Sequence, residues 1–242
     1  MWFGALCRIL NGIKKYRHGG ALLLSATGVD LNVKYEINYE RLKTSMENAA
    51  LWLYKSTDLD RITQLDYVQR NRKIPYKHYE AASEAELKVE SFNHEITGCV
   101  RFIASLSRID GLVYSTPDLI VRGFGAEIRT AQEVDEVYVA STPNAKGNSL
   151  RRIAANYFGT RHRSMMRFCL AQPESVGFVV SQDGDIRVMT CVENRIVIWE
   201  NPKVLSFSPP RSEIEFNKAR EGTGSDRDIG VSHEITDDDI PF

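Results

Sequence analysis

Apolar and polar positions alternate along this chain on two different periods, and the switches between them mark out its elements. The opening Met1–Leu10 is almost wholly apolar and suits a core strand or a helix, or the remnant of a longer upstream segment. Gly19 and Gly20 then turn the chain into the apolar run Ala21–Leu24, which predicts a buried strand. Leu42, Met46, Ala49, Ala50 and Leu53 recur at helical spacing and predict a helix over 40–55. A polar, basic stretch follows over 61–79, with Pro75 interrupting any long helix. It reads as a solvated insertion with aromatic anchors, and Arg61, Arg70, Arg72, Lys73 and Lys77 also suit a nucleic-acid backbone. Residues 81–106 predict one helix, or two broken near Thr97–Gly98. Leu112–Tyr114 and Leu119–Phe124 predict strands around a Ser-Thr-Pro-Asp turn, and Val137–Ala140 a further short strand.

Gly147–Asn148 is expected to open a helix through Leu150, Ile153, Ala154 and Phe158. Gly159–Thr160 separates it from a second helix over 161–171. Val176–Val180 and Ile186–Cys191 predict strands around the turn Ser181-Gln182-Asp183-Gly184-Asp185, and Ile196–Trp199 one more. No fixed-period repeat is present. The sum predicts an α/β domain over 1–205, a mixed sheet flanked by helices, with an insertion at about 30–95.

Composition narrows the function classes. The chain has 242 residues, 43% of them hydrophobic, enough for a sizeable core. Lys and Arg number 31 against 32 Asp and Glu, so the global basic excess of many nucleic-acid binders is absent. No run of 18 apolar residues exists, which argues against a membrane span, and no cleavage site follows the apolar opening at signal-peptide distance. Cys7, Cys99, Cys169 and Cys191 are scattered without a C-x-x-C pair, as expected of reduced, buried thiols in a cytoplasmic protein. From Ser206 the chain turns to paired prolines, small residues and charge, and 206–242 is predicted to be a disordered tail.

The strongest chemical signal is Gly159-Thr160-Arg161-His162-Arg163-Ser164. A helix start offers free N–H groups and a favourable dipole to an anion. Arg161 and Arg163 add charge-assisted donors where acidic residues are normally preferred, and His162 adds another. The same pattern also suits a solvated basic helix start capped by Thr160. Asp110-Gly111, between a helix and a strand, offers a carboxylate that could hold a divalent metal or help to activate a sugar hydroxyl, although most Asp-Gly pairs are simple turns.

Taken together, Arg17-His18-Gly19-Gly20-Ala21-Leu22, Asp110-Gly111-Leu112, Gly159-Thr160-Arg161-His162-Arg163-Ser164 and Val179-Val180-Ser181 resemble the diadenylate cyclase domain, the DisA N-terminal type. The resemblance runs from roughly Tyr16 to Val188. It implies that ATP is bound and that two subunits meet face to face. Each ATP 3′-hydroxyl then attacks the α-phosphorus of the other, releasing diphosphate and closing cyclic di-AMP. It implies Asp110 as the catalytic group beside Mg²⁺ or Mn²⁺, and Asp183, by a one-residue shift from the family's acid, is a candidate second metal ligand. Gly111, Leu112, Gly159, Thr160, Arg161, His162, Arg163 and Ser181 would hold the nucleotide. The pattern departs from the family in three places. Ile109 replaces a His, Leu112 an Ala, and Ser181-Gln182-Asp183 a Ser-Glu-Glu. Fewer oxygen ligands remain for a metal. Two expectations therefore stand side by side: an active cyclase, and a nucleotide sensor that no longer cyclises.

A second resemblance lies at the end of the chain. Asp237-Asp238-Asp239-Ile240-Pro241-Phe242 is similar to the acidic tip with which bacterial single-stranded DNA-binding protein docks on replication and repair enzymes. An acidic peptide ending in an apolar plug suits an apolar pocket with a basic rim. It implies partners among DNA repair and replication proteins, with the folded domain serving as sensor or adaptor.

Overall fold

The computed structural model describes residues 1–143 and 149–202. The chain divides into two units, Met1–Leu205 and Ser206–Phe242. The acidic tail, its tip Asp237–Phe242 and the Gly147–Asn148 turn lie outside the described residues.

Strand β1 (Gly20–Leu24) is buried along its whole length. It pairs in parallel with β4 (Leu112–Ser115), Leu22 opposite Val113, and antiparallel with β8 (Val176–Val180), Leu22 opposite Phe178. The sheet extends past β4 to β5 (Val121–Ile128), whose far edge carries β2 (Leu31–Asn32) and β3 (Tyr35–Tyr39). On the other side it runs through β9 (Ile186–Val192), β10 (Arg195–Glu200), β6 (Glu136–Ala140) and β7 (Leu150–Ala154). Parallel and antiparallel pairs are mixed, as expected of this α/β pattern.

Because strand side chains alternate between faces, β1 feeds two cores at once. Leu22 and Leu24 join Phe178 and Val180 beneath α1 (Trp2–Lys15) and α3 (Tyr76–Leu106). Ala21 and Leu23 join Val179, Met189 and Ile198 beneath α4 (Thr160–Ala171). Helix α1 settles the choice left open for the first residues. Its buried Ala5, Leu6, Ile9, Leu10 and Ile13 repeat at three and four residues and form a single stripe. All four cysteines are free thiols, three of them buried.

The insertion is more ordered than its polarity suggests. Helix α2 (Arg41–Ile62) runs past the expected end at 55 and continues into a π-helical turn over Thr63–Val68. Pro75 caps α3, which begins at Tyr76 and passes Thr97–Gly98 without a break. The Thr97 hydroxyl donates to the Asn93 carbonyl one turn back and so does not compete with the helix. Arg41 pairs with Glu95 near one end, and Thr63 meets His78 near the other, so α2 and α3 pack antiparallel. The α3 seam reads Ala85, Val89, Phe92, Ile96, Cys99 and Ile103, alternating steps of four and three. That 3.5-residue period is the signature of a coiled-coil pair. Among the described residues of α2 beyond Ala49, none is fully buried.

One expectation is overturned. Leu150–Ala154 is strand, not helix, and pairs antiparallel with β6, Val137 opposite Ile153. Leu150 and Ile153, three apart, fit the helical period and not the alternation of a strand, and pairing along the edge of β6 overrides that local pattern. Phe158 reaches the core after a short 3₁₀ turn, Ala155–Tyr157. No helix of the described residues is long and apolar enough to cross a membrane.

Phe168 is completely buried beneath β9 and β10, whereas Leu51 on α2 is 50% exposed. Phe168→Ala is expected to cost about 3–5 kcal/mol in urea unfolding, and Leu51→Ala no more than about 0.5 kcal/mol. Equal losses at the two positions would contradict this placement of the core.

Candidate functional site

The loop from α3 into β4 and the first turn of α4 are about fifty residues apart in sequence, yet they border one cleft of about 640 Å³. Asp110 and Gly111 form one side, and Thr160, Arg161 and Ser164 the other. The floor is apolar, made by Ala21 of β1, Leu112 of β4, Ala126 and Ile128 of β5, and Met165. Glu127 borders the cleft between Ala126 and Ile128, and strand alternation turns its side chain to the other face of the sheet.

The sequence sets the Asp110 side by a close backbone approach. Gly111 has φ +108, and a Cβ there would stand 2.6 Å from the Gly125 carbonyl carbon and 2.9 Å from the Ala126 nitrogen. Only glycine combines that dihedral with that contact. Asp110 then accepts the Gly111 N–H through Oδ1 at 3.0 Å, which orients the carboxylate at the turn.

The α4 side is built to leave donors free. Its N-cap is Gly159 rather than Thr160, so no side chain caps the first turn, and no acidic residue lies in it. The first N–H groups of a helix have no partner within it. Arg161 is exposed, and its guanidinium reaches back against β1: a Cβ on Gly19 would lie 2.9 Å from Nη1 and 2.9 Å from the Val180 carbonyl. Thr160 and Ser164, one turn apart, point the same way along the helix.

Other expected site residues lie elsewhere. His162 faces β9, where Arg187 Nη1 donates to its Nε2 at 3.4 Å and its ring lies 5.9 Å from that of Phe158. Burial, then the Arg187 and Arg161 charges, push its pKa down to about 4. His162 is therefore uncharged at neutral pH. Arg187 in turn is held by Glu200 at 3.0 Å and Asp185 at 3.8 Å. Arg163 is half-buried, and its Nε has no hydrogen-bond partner among the described residues.

Ser181 serves the β8–β9 turn. Its Oγ accepts the Asp185 N–H at 3.0 Å, and its own N–H donates to the Asp185 carbonyl. Asp183 is exposed on that turn and does not line the cleft with Asp110. Ser181, Asp183, His162 and Arg163 thus lie outside the cleft lining. His18 Nδ1 donates to the Gly19 carbonyl at 2.8 Å, and its buried Nε2 has no hydrogen-bond partner among the described residues.

Glu127 was not foreseen. Among the described residues, no group of three or more His, Cys, Asp or Glu could hold a metal ion. The cleft offers the Asp110 carboxylate. Mg²⁺ is commonly held by one or two carboxylates together with substrate phosphates, so a single carboxylate suits only a metal that arrives with a nucleotide. No family model matches the chain, and no curated protein matches it.

Two outcomes test this geometry. Gly111→Ala is expected to lower stability by about 2 kcal/mol or more in denaturant titration, since strain and a backbone clash coincide. An unchanged midpoint would refute the close approach. His162 has a folded pKa below its unfolded value near 6.5. The unfolded chain therefore binds more protons as pH falls from about 6.5 to about 4, and stability declines across that window. His162→Gln is expected to flatten the decline, and a pH profile identical to wild type would show that the ring is not held neutral.

Proposed function

We propose that this chain is an adenine-nucleotide-binding protein of the diadenylate cyclase type, working as a nucleotide sensor. What carries the reading is that Asp110-Gly111-Leu112 and Thr160-Arg161-Ser164, which resemble two separate motifs of that family, line a single cleft. The open first turn of α4, Arg161 and the two hydroxyls supply donors for phosphate. Leu112, Ala126, Ile128 and Met165 supply an apolar wall for a base.

The sensor reading is preferred to turnover because the family's acidic positions are thinned. Asp183 stands on a turn away from the cleft lining, and Gln182 replaces an acid. Cyclisation needs two triphosphates held in line, so charge neutralisation and positioning dominate its barrier.

A cyclase remains the second reading, favoured by Asp110 at the cleft edge. Asp110 would position the 3′-hydroxyl and take its proton as the α-phosphorus of a second nucleotide is attacked and diphosphate leaves. A bound Mg²⁺ or Mn²⁺, held by Asp110 together with the substrate phosphates, would neutralise phosphate charge. This reading requires a homo-oligomer, since one site with one nucleotide cannot complete the ring.

The tip Asp237–Phe242 is proposed as a docking peptide for proteins of DNA repair or replication. Its support is its three acids followed by Ile240, Pro241 and Phe242.

Purified protein incubated with ATP and Mn²⁺ separates the two readings of the cleft. The sensor retains ATP and releases no cyclic di-AMP. Product formed by wild type and lost in Asp110→Asn would establish the cyclase instead. In either case Arg161→Ala is expected to weaken nucleotide binding by at least tenfold, about 1.4 kcal/mol. Wild-type affinity in that variant would refute the phosphate site.

A further inference from the structure

Helix α2 carries a second stripe on the side away from α3. Its inward positions, Leu42, Ser45, Ala49, Trp52, Ser56 and Leu59, are buried or half-buried. On the outer side Tyr54 is 73% and Leu65 42% exposed, and Arg61 is exposed with them. Between them lies Asp58, whose carboxylate holds the Arg61 guanidinium at 2.7 Å in an ion pair open to solvent. Steps of four, three and four residues set Tyr54, Asp58, Arg61 and Leu65 on one face. Leu65 stands in the π-helical turn, which starts only after Ile62, and it keeps to the exposed side. Exposed Ala50, Leu51 and Thr57 border the stripe without adding charge.

The stripe is its own complement. Read from either end it runs apolar, charged, charged, apolar at the same spacing, and the two charges are opposite in sign. A copy laid antiparallel about a two-fold axis between Leu59 and Asp60 sets Tyr54 against Leu65 of the other copy. Each Asp58 then faces an Arg61 of the other copy, so the central charges are matched twice over. A parallel copy would oppose Asp58 to Asp58 and Arg61 to Arg61, which repel. Self-complementarity of this kind is what a two-fold interface demands of a surface. A nucleic acid or an acidic peptide would meet as many acids as bases on this stripe, and an apolar partner would cover the ion pair with nothing to match it.

We propose that the outer face of α2 pairs antiparallel with the same face of a second copy of this chain, joining two α2–α3 hairpins into a four-helix array. The contact is independent of the nucleotide site and of the face-to-face meeting that cyclisation would need. Its apolar content is small, so the dimer forms reversibly.

Sedimentation of the full chain over a concentration series tests the pairing. Wild type is expected to pass from one chain mass to two. Asp58→Arg alone and Arg61→Asp alone each set like charges opposite one another, and each is expected to weaken the dimer about tenfold or more. The two exchanged together restore the match, and that double variant is expected to return to within about threefold of wild type. Both side chains are exposed, and an unchanged helical circular dichroism signal checks that each variant folds. Tyr54→Cys combined with Leu65→Cys reads the register. Within one chain these positions are about 16 Å apart along the helix, beyond the reach of about 7 Å for a disulfide. Mild oxidation is therefore expected to give a covalent dimer with the pair and none with either variant alone. A chain that stays monomeric throughout the series would overturn the second copy as occupant and leave the face to a different partner. A dimer indifferent to both single reversals, or not rescued by the exchange, would place the contact elsewhere, a meeting of the two clefts included. Absence of the covalent dimer would overturn the antiparallel register.

Discussion

Strand β1 is the constraint from which the site follows. Five consecutive buried residues, Gly20–Leu24, have no polar side, so both faces of the strand must be covered. Leu22 and Leu24 recruit α1 and α3, and Ala21 and Leu23 recruit α4. Pairing with β4 on one edge fixes where α3 ends and the Asp110 turn begins. Pairing with β8 on the other fixes the backbone against which Arg161 lies. Ala21, the small residue of the strand, is left as part of the cleft floor. A bulkier side chain there would fill the space between the two motifs.

The electrostatics divide α4 lengthwise. One side of its first turn meets the cleft with Thr160, Arg161 and Ser164, and the other turns His162 toward Arg187 and Phe158. The two sides do different work. The cleft side keeps its donors unpaired because Gly159 supplies no cap. The sheet side ties up its charge, with Arg187 shared among Glu200, Asp185 and a neutral His162. A run that looks uniformly basic in sequence is thus split by helix periodicity into a binding face and an anchoring face.

That division explains what the sequence could and could not tell. Strands β1, β8 and β9 and helix α4 are legible because their apolar runs are bounded by Gly and Asp-Gly turns. The α2–α3 pair is only half legible. Its outer part uses the small seam residue Ala85, which weakens the 3.5-residue period in a reading of hydrophobicity. Strand β7 is misread because its order comes from β6, not from its own five residues. Asp110 and Arg161 are found as motif residues, while Ala126 and Ile128 reach the cleft only through the registration of β5 on β4, information that no local pattern contains.

The central claim is that the Asp110 turn and the start of α4 form one ligand site. Amide NMR of the full chain during titration with AMP tests it most directly. The account predicts that Gly111 and Leu112 shift together with Thr160, Arg161 and Ser164, on one binding curve. Shifts confined to one of the two segments, or absent from both while the nucleotide binds elsewhere, would contradict it.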